Sequence, residues 1–210
     1  GVTLRPHLKT AKSIDVARTA AGGAQGPITV STLAEAEHFA AAGWRDILYT
    51  TAIAPAKLAR AERIQREHGA RLLFVLDNRK VAAAIGKEAA SLGACFGVLI
   101  EIDCGEHRSG ADPASDELVA IADTIRACSP QLELMGVMTH AGHSYAFDDP
   151  AAIMALAEVE RYAAVASAEL LRSRGHPCPI VSVGSTPTAL FAEQLSGVTE
   201  VRAGIYLLWD

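Results

Sequence analysis

The feature that most constrains this chain is an alternation kept up along its whole length. Short apolar runs bounded by turn residues are separated by longer, Ala-rich stretches of helical period. The runs predict strands over residues 4–8, 28–31, 46–49, 72–76, 96–102, 132–139, 180–183 and 201–208. Between them the pattern predicts helices over 12–21, 32–42, 55–68, 79–92, 113–128, 150–174 and 187–195. The helix starts are well marked. Ser31-Thr32 ahead of Glu35 is a capping-box arrangement, and Ala54-Pro55, Asp112-Pro113, Asp149-Pro150 and Thr186-Pro187 put proline at or near a first turn. The strands are Val/Ile/Leu runs rather than strict alternations, as expected of parallel strands covered by helices. Strict βα alternation with eight strands favours an α/β fold closed into a parallel (β/α)8 TIM-type barrel, with an open doubly wound sheet as the rival. Seven helices for eight strands leave one unaccounted for, and it is expected ahead of Gly1.

With 210 residues, half of them hydrophobic, the chain can bury a full core, and no repeat, linker or low-complexity tract divides it. A formal charge of −5 leaves no basic footprint for nucleic acid, and no apolar run reaches the roughly 18 residues that span a bilayer. Cys95, Cys104, Cys128 and Cys178 are scattered without a Cys-x-x-Cys pair; they read as free thiols of a cytoplasmic protein. Both ends look cut. Gly1-Val2-Thr3-Leu4 enters a strand pattern at once and the apolar run from Ile205 stops at Asp210, so a single domain taken from a longer protein is expected.

In such barrels the chemistry sits at the C-terminal ends of the strands, and the chemically able residues fall there. Lys9 ends the first run: burial at a strand's inner end would lower its amine pKa and make it an imine-forming nucleophile, while the bland reading is a solvated lysine. Lys12, a turn further on, is its competitor, read as exposed or as a counter-charge. The strand–turn–helix Val183-Gly184-Ser185-Thr186-Pro187 offers backbone N–H groups and hydroxyls to a phosphate ester, though Ser-Thr-Pro is also an ordinary helix cap. A second small turn, Arg202-Ala203-Gly204-Ile205, strengthens the phosphate reading, because loops after strands seven and eight commonly hold phosphate in this architecture. In Thr139-His140-Ala141-Gly142-His143-Ser144-Tyr145 the His-x-x-His spacing lacks a third metal ligand. A stacking or acid–base role for a histidine is preferred there over a structural one. Arg108, between Gly105 and Gly110, can reach a phenolate or carboxylate, or simply pair with Glu106 or Asp112.

Together these motifs resemble a known family. Arg5-Pro6-His7-Leu8-Lys9-Thr10-Ala11-Lys12 is similar to the Arg-Pro-His-x-Lys-Thr-His-Lys signature of D-serine dehydratase and D-threonine aldolase-like proteins. These are fold type III pyridoxal phosphate enzymes, grouped with alanine racemase. The resemblance runs through 30–37, 46–49, 103–110, 140–145, 183–188 and 202–206, essentially the whole chain. It implies that Lys9 carries pyridoxal 5′-phosphate as a Schiff base and that Arg108 contacts the ring oxygen. It further implies that His140 packs on the pyridine ring, and that Gly184, Ser185, Thr186, Gly204 and Ile205 bind the phosphate. Arg202 resembles the racemase arginine facing the ring nitrogen, and Tyr145 is expected to line the substrate pocket. Ala11 departs from the signature, which usually has His there. Family members continue into a β-rich C-terminal domain with a metal site. A divalent metal, zinc or manganese, is therefore expected in the full-length protein, with no metal ligand in these residues. The implied activity is a lyase acting on D-3-hydroxyamino acids, by dehydration or aldol cleavage, within a homodimer. The rivals are an amino-acid racemase and a non-catalytic pyridoxal phosphate carrier.

Overall fold

In the computed structural model, which describes residues 1–21, 25–113 and 115–208, strands and helices alternate throughout. β1 (Thr3–Leu4) leads to α1 (Ile14–Ala20), β2 (Ile28–Val30) to α2 (Leu33–Ala41), and β3 (Asp46–Tyr49) through a 3-10 turn to α3 (Leu58–His68). β4 (Arg71–Leu76), α4 (Arg79–Leu92), β5 (Phe96–Ile102), α5 (Asp116–Ala127) and β6 (Leu132–Thr139) follow. A 3-10 segment at Gly142–Ala146 precedes α6 (Pro150–Ser173), β7 (Ile180–Val183), α7 (Thr186–Phe191) and β8 (Glu200–Val201).

All neighbours in the eight-stranded sheet are parallel, in the order β1-β8-β7-β6-β5-β4-β3-β2. The two ends of that order meet. Beyond β1, His7 bridges to Thr29, Leu8 N–H donates to the Thr29 carbonyl and Thr29 N–H donates to the Pro6 carbonyl, both at 2.9 Å. The sheet is thus a closed barrel, and the open doubly wound alternative is excluded.

The unbroken apolar runs follow from burial on two sides. Ile47, Tyr49, Leu72, Phe74, Val98 and Ile100 point outward into the layer beneath the helices. Their alternates Leu48, Leu73, Val75 and Leu99 join Met138 in a small cluster inside the barrel. A strand with two apolar faces cannot show a period of two. Among the described residues, six α-helices begin at a side chain that accepts from a first-turn N–H: Ser13, Thr32, Asn78, Ser115, Asp149 and Ser185.

Three expectations are corrected. The first strand is not continuous over 4–8, because Pro6 has no N–H to give to the β2 side. The last strand ends at Val201 rather than running to residue 208, and Ile205–Leu207 forms a 3-10 turn. There the chain packs against β1's extension so closely that a Cβ on Gly204 would lie 2.7 Å from the His7 carbonyl oxygen. The helix expected from Pro113 starts at Asp116, capped by the Ser115 hydroxyl.

Candidate active site

The C-terminal ends of the strands open into a cavity of about 350 Å³, and every strand end contributes to its wall. Lys9, Arg108, His140, Gly184 and Arg202 line it. So do His7, Thr50, Asp77 and Glu101, to which sequence reasoning gave no role. Lys9 is exposed at the mouth, which corrects the expectation that burial strips water from its amine. Lys12 is exposed and turned away to Glu35, 3.3 Å from its carboxylate.

Beneath Lys9, the His7 ring accepts from the Lys9 backbone N–H at Nδ1 (3.3 Å). That leaves Nε2 facing Ser31 Oγ at 3.5 Å and Thr50 Oγ1 at 3.3 Å. Burial, with the charges of Lys9, Arg202 and His140, pushes its pKa down to about 3, so this imidazole is neutral in ordinary conditions. His140 is fixed differently. A carbonyl only accepts, so the 2.8 Å contact from Nδ1 to the Gly184 oxygen places the proton on Nδ1 and leaves Nε2 as the acceptor. Burial holds the His140 pKa below its usual value, opposed by that hydrogen bond and helped by Arg202.

Arg202 forms the floor. It is 5% exposed and donates to Ser182 Oγ and to the Thr139 carbonyl. Burial lowers its pKa, against the attraction of Glu200, Glu160 and Glu101. The Ser182 hydroxyl donates to Glu200 at 2.6 Å, Glu200 accepts from Arg5 at 2.9 Å, and Arg5 donates to Asp46 at 2.8 Å. Opposite charges thus thread the barrel interior and compensate a guanidinium that could not be buried alone. Arg108 stands on the opposite wall, half exposed, with Glu106 at 3.6 Å. Burial raises the pKa of Glu101, against the Ser109 hydroxyl at 2.9 Å and with the help of Asp77.

Of the expected phosphate residues only Gly184 lines the cavity; Ser185, Thr186, Gly204 and Ile205 lie behind it. They nevertheless converge. The N–H groups of Gly204 and Ile205 both donate to Thr186 Oγ1, at 3.2 and 3.1 Å, and Thr186 N–H donates to the Tyr145 hydroxyl at 3.2 Å. Ser185 caps α7 in a reciprocal capping box with Thr188. Tyr145 is not among the residues that line this cavity, and its hydroxyl accepts from the Thr186 N–H of the turn.

The alanine racemase N-terminal domain family matches residues 1–210. The chain belongs to that family. Among curated relatives, D-threo-3-hydroxyaspartate dehydratase of Delftia sp. (strain HT23) is 52% identical over 213 residues, covering 100% of this chain and 55% of the relative. D-serine dehydratase of Dictyostelium discoideum is 32% identical, covering 100% of this chain and 56% of the relative. The solved Delftia dehydratase superposes with a TM-score of 0.95 at 49% identity, over 100% of this chain and 55% of that one. D-threonine aldolase from Filomicrobium marinum superposes at 0.86 with 25% identity, over 98% of this chain and 55% of that one. The chain therefore spans about half the length of these relatives.

This alanine racemase-type barrel has a donor set that fits a phosphorylated, electron-poor ring. Three backbone N–H groups gather on two hydroxyl oxygens at the junction of β7 and β8, an arrangement a phosphate can take over by displacing the hydroxyls. Backbone must approach backbone there: a Cβ on Gly184, at φ +135°, would lie 2.8 Å from the Arg202 nitrogen. Among the described residues no three His, Cys, Asp or Glu side chains gather as a metal site.

Proposed function

We propose that residues 1–210 are the cofactor-bearing half of a pyridoxal 5′-phosphate-dependent lyase that acts on D-3-hydroxyamino acids. The observation that carries this reading is the meeting of Lys9, Arg108, His140 and Arg202 around one cavity, with a phosphate-ready turn at its edge. Relatives named as dehydratases and aldolases of such substrates support it. When bound, the cofactor supplies an electron sink for negative charge at the substrate's Cα.

The chain's own residues do the rest. Lys9 Nζ would hold the cofactor, and its free amine would serve as the base for the Cα proton on one face. Arg108, half exposed on the cavity wall, would bring positive charge to the ring oxygen. His140, whose ring is anchored by its Nδ1–H to Gly184, would pack against the cofactor's ring. Arg202 is held from behind by Ser182 and Thr139 and presents donors only, so it can share the ring nitrogen's lone pair but cannot protonate it readily. Gly184, Ser185, Thr186, Gly204 and Ile205 hold the phosphate.

We place the divalent metal, zinc or manganese, on ligands outside these residues, and read the whole protein as a homodimer of barrel plus β-rich domain. Four free thiols suit a reducing compartment such as the cytoplasm. The test is turnover by the full-length protein of D-threo-3-hydroxyaspartate, D-serine, D-threonine and L-alanine, with and without chelator. The expected result is ammonia and an oxo acid, or glycine from aldol cleavage, from the D-hydroxyamino acids. Inversion of L-alanine alone would make it a racemase, and cofactor binding without turnover would make it a carrier.

A further inference from the structure

We propose that Glu160, on α6 and outside the cavity, is a positioning residue that locks the phosphate turn to the loop carrying His140. The inference rests on the cofactor reading above. Glu160 is 1% exposed, on a helix that packs behind β6 and β7. Its Oε1 accepts from Ala141 N–H at 3.0 Å, Gly184 N–H at 3.1 Å and the Thr139 hydroxyl at 3.3 Å. Its Oε2 accepts from the Thr188 hydroxyl at 2.7 Å.

Those four donors are not scattered. Thr139 and Ala141 flank His140, and Gly184 supplies the carbonyl that takes the His140 Nδ1 proton. Thr188 accepts from Ser185 N–H at 3.2 Å, and its oxygen lies 3.0 Å from Ser185 Oγ, which itself meets Ser144 Oγ at 2.7 Å. One carboxylate therefore has two arms. The Oε1 arm sets the ring of His140 against Gly184; the Oε2 arm, through Thr188, sets Ser185 at the start of the phosphate turn. An apolar side chain of similar volume would strip Thr139, Ala141 and Gly184 of this acceptor at once and leave the Thr188 hydroxyl to Ser185 alone.

The arms can be separated. In Glu160→Gln the amide oxygen can still serve the three donors of the first arm, while the amide nitrogen can only donate to Thr188 Oγ1, which weakens and reverses the second arm and turns the Thr188 hydroxyl proton onto Ser185. Thr188→Val removes the second arm from its other end. The full-length protein and both variants should be titrated with pyridoxal 5′-phosphate and with pyridoxal, which lacks the phosphate, following the visible absorbance of lysine-bound cofactor. The expected result is that Thr188→Val loses about tenfold or more of the preference for the phosphorylated form, the scale of one buried hydrogen bond to a charged group, and Glu160→Gln less. The double variant should lose little beyond Thr188→Val alone. An unchanged preference in Thr188→Val, beside a normal wild-type spectrum, would overturn the inference and leave the cofactor reading standing. A wild type without lysine-bound absorbance would overturn both.

Discussion

His7 lies two positions from Lys9, which has a direct part in the proposed chemistry, yet its own behaviour is set by burial. In the folded chain its ring refuses a proton until about pH 3, because desolvation and the nearby Lys9, Arg202 and His140 all disfavour the imidazolium. In the unfolded chain the same ring takes a proton near pH 6.5. As pH falls below that value the unfolded state gains a proton that the folded state does not, so stability present at neutral pH is lost in acid. Between pH 7 and pH 5 the loss from this one group is about 2 kcal/mol. Urea denaturation of the apoprotein at both pH values, in wild type and His7→Asn, measures it. The variant should lose about that much less on acidification, and an equal loss in the two proteins would contradict the shifted pKa.

At the scale of the elements, β6 carries the geometry that brings His140 to the cavity. Its register against β5 slips between Val98 and Leu99, so that Val98 faces Leu134 while Leu99 faces Gly136. Gly136 sits at φ +151°, and a Cβ there would lie 1.9 Å from the Ile180 carbonyl oxygen on β7. The contact is backbone against side chain, so no rotamer change relieves it. Gly136→Ala should therefore destabilise the protein by about 3 kcal/mol or more, through strain and overpacking of the β6–β7 pair. Chemical denaturation beside Met135→Ala as a neighbouring control tests this. A variant as stable as wild type would mean that β6 can part from β7 without penalty.

For the whole molecule, the barrel was legible because burial on two faces writes itself as unbroken apolar runs, and helix caps as Ser, Thr, Asn and Asp. The seams were not legible. Pro6 thins the ladder at one and Gly204 turns the chain at the other, and both effects depend on what lies across the closure. The cavity residues were readable wherever a polar side chain directly follows a strand. That rule reached Lys9 and His140 and, applied more widely, would have reached Thr50 and Asp77. Glu160 carried no such signal: an acidic residue in an Ala-rich helix reads as solvated, and only the tertiary fold turns it inward. The bond that Tyr145 makes to the turn was no more legible, since its partner, Thr186 N–H, is 41 residues away. All of this converges on a single bond between Lys9 and the cofactor. Borohydride reduction of the cofactor-loaded full-length protein, followed by peptide mapping, tests it directly. The expected result is a pyridoxyl group on Lys9 that is absent from Lys9→Ala, and a label on Lys12 or on no lysine at all would contradict the account.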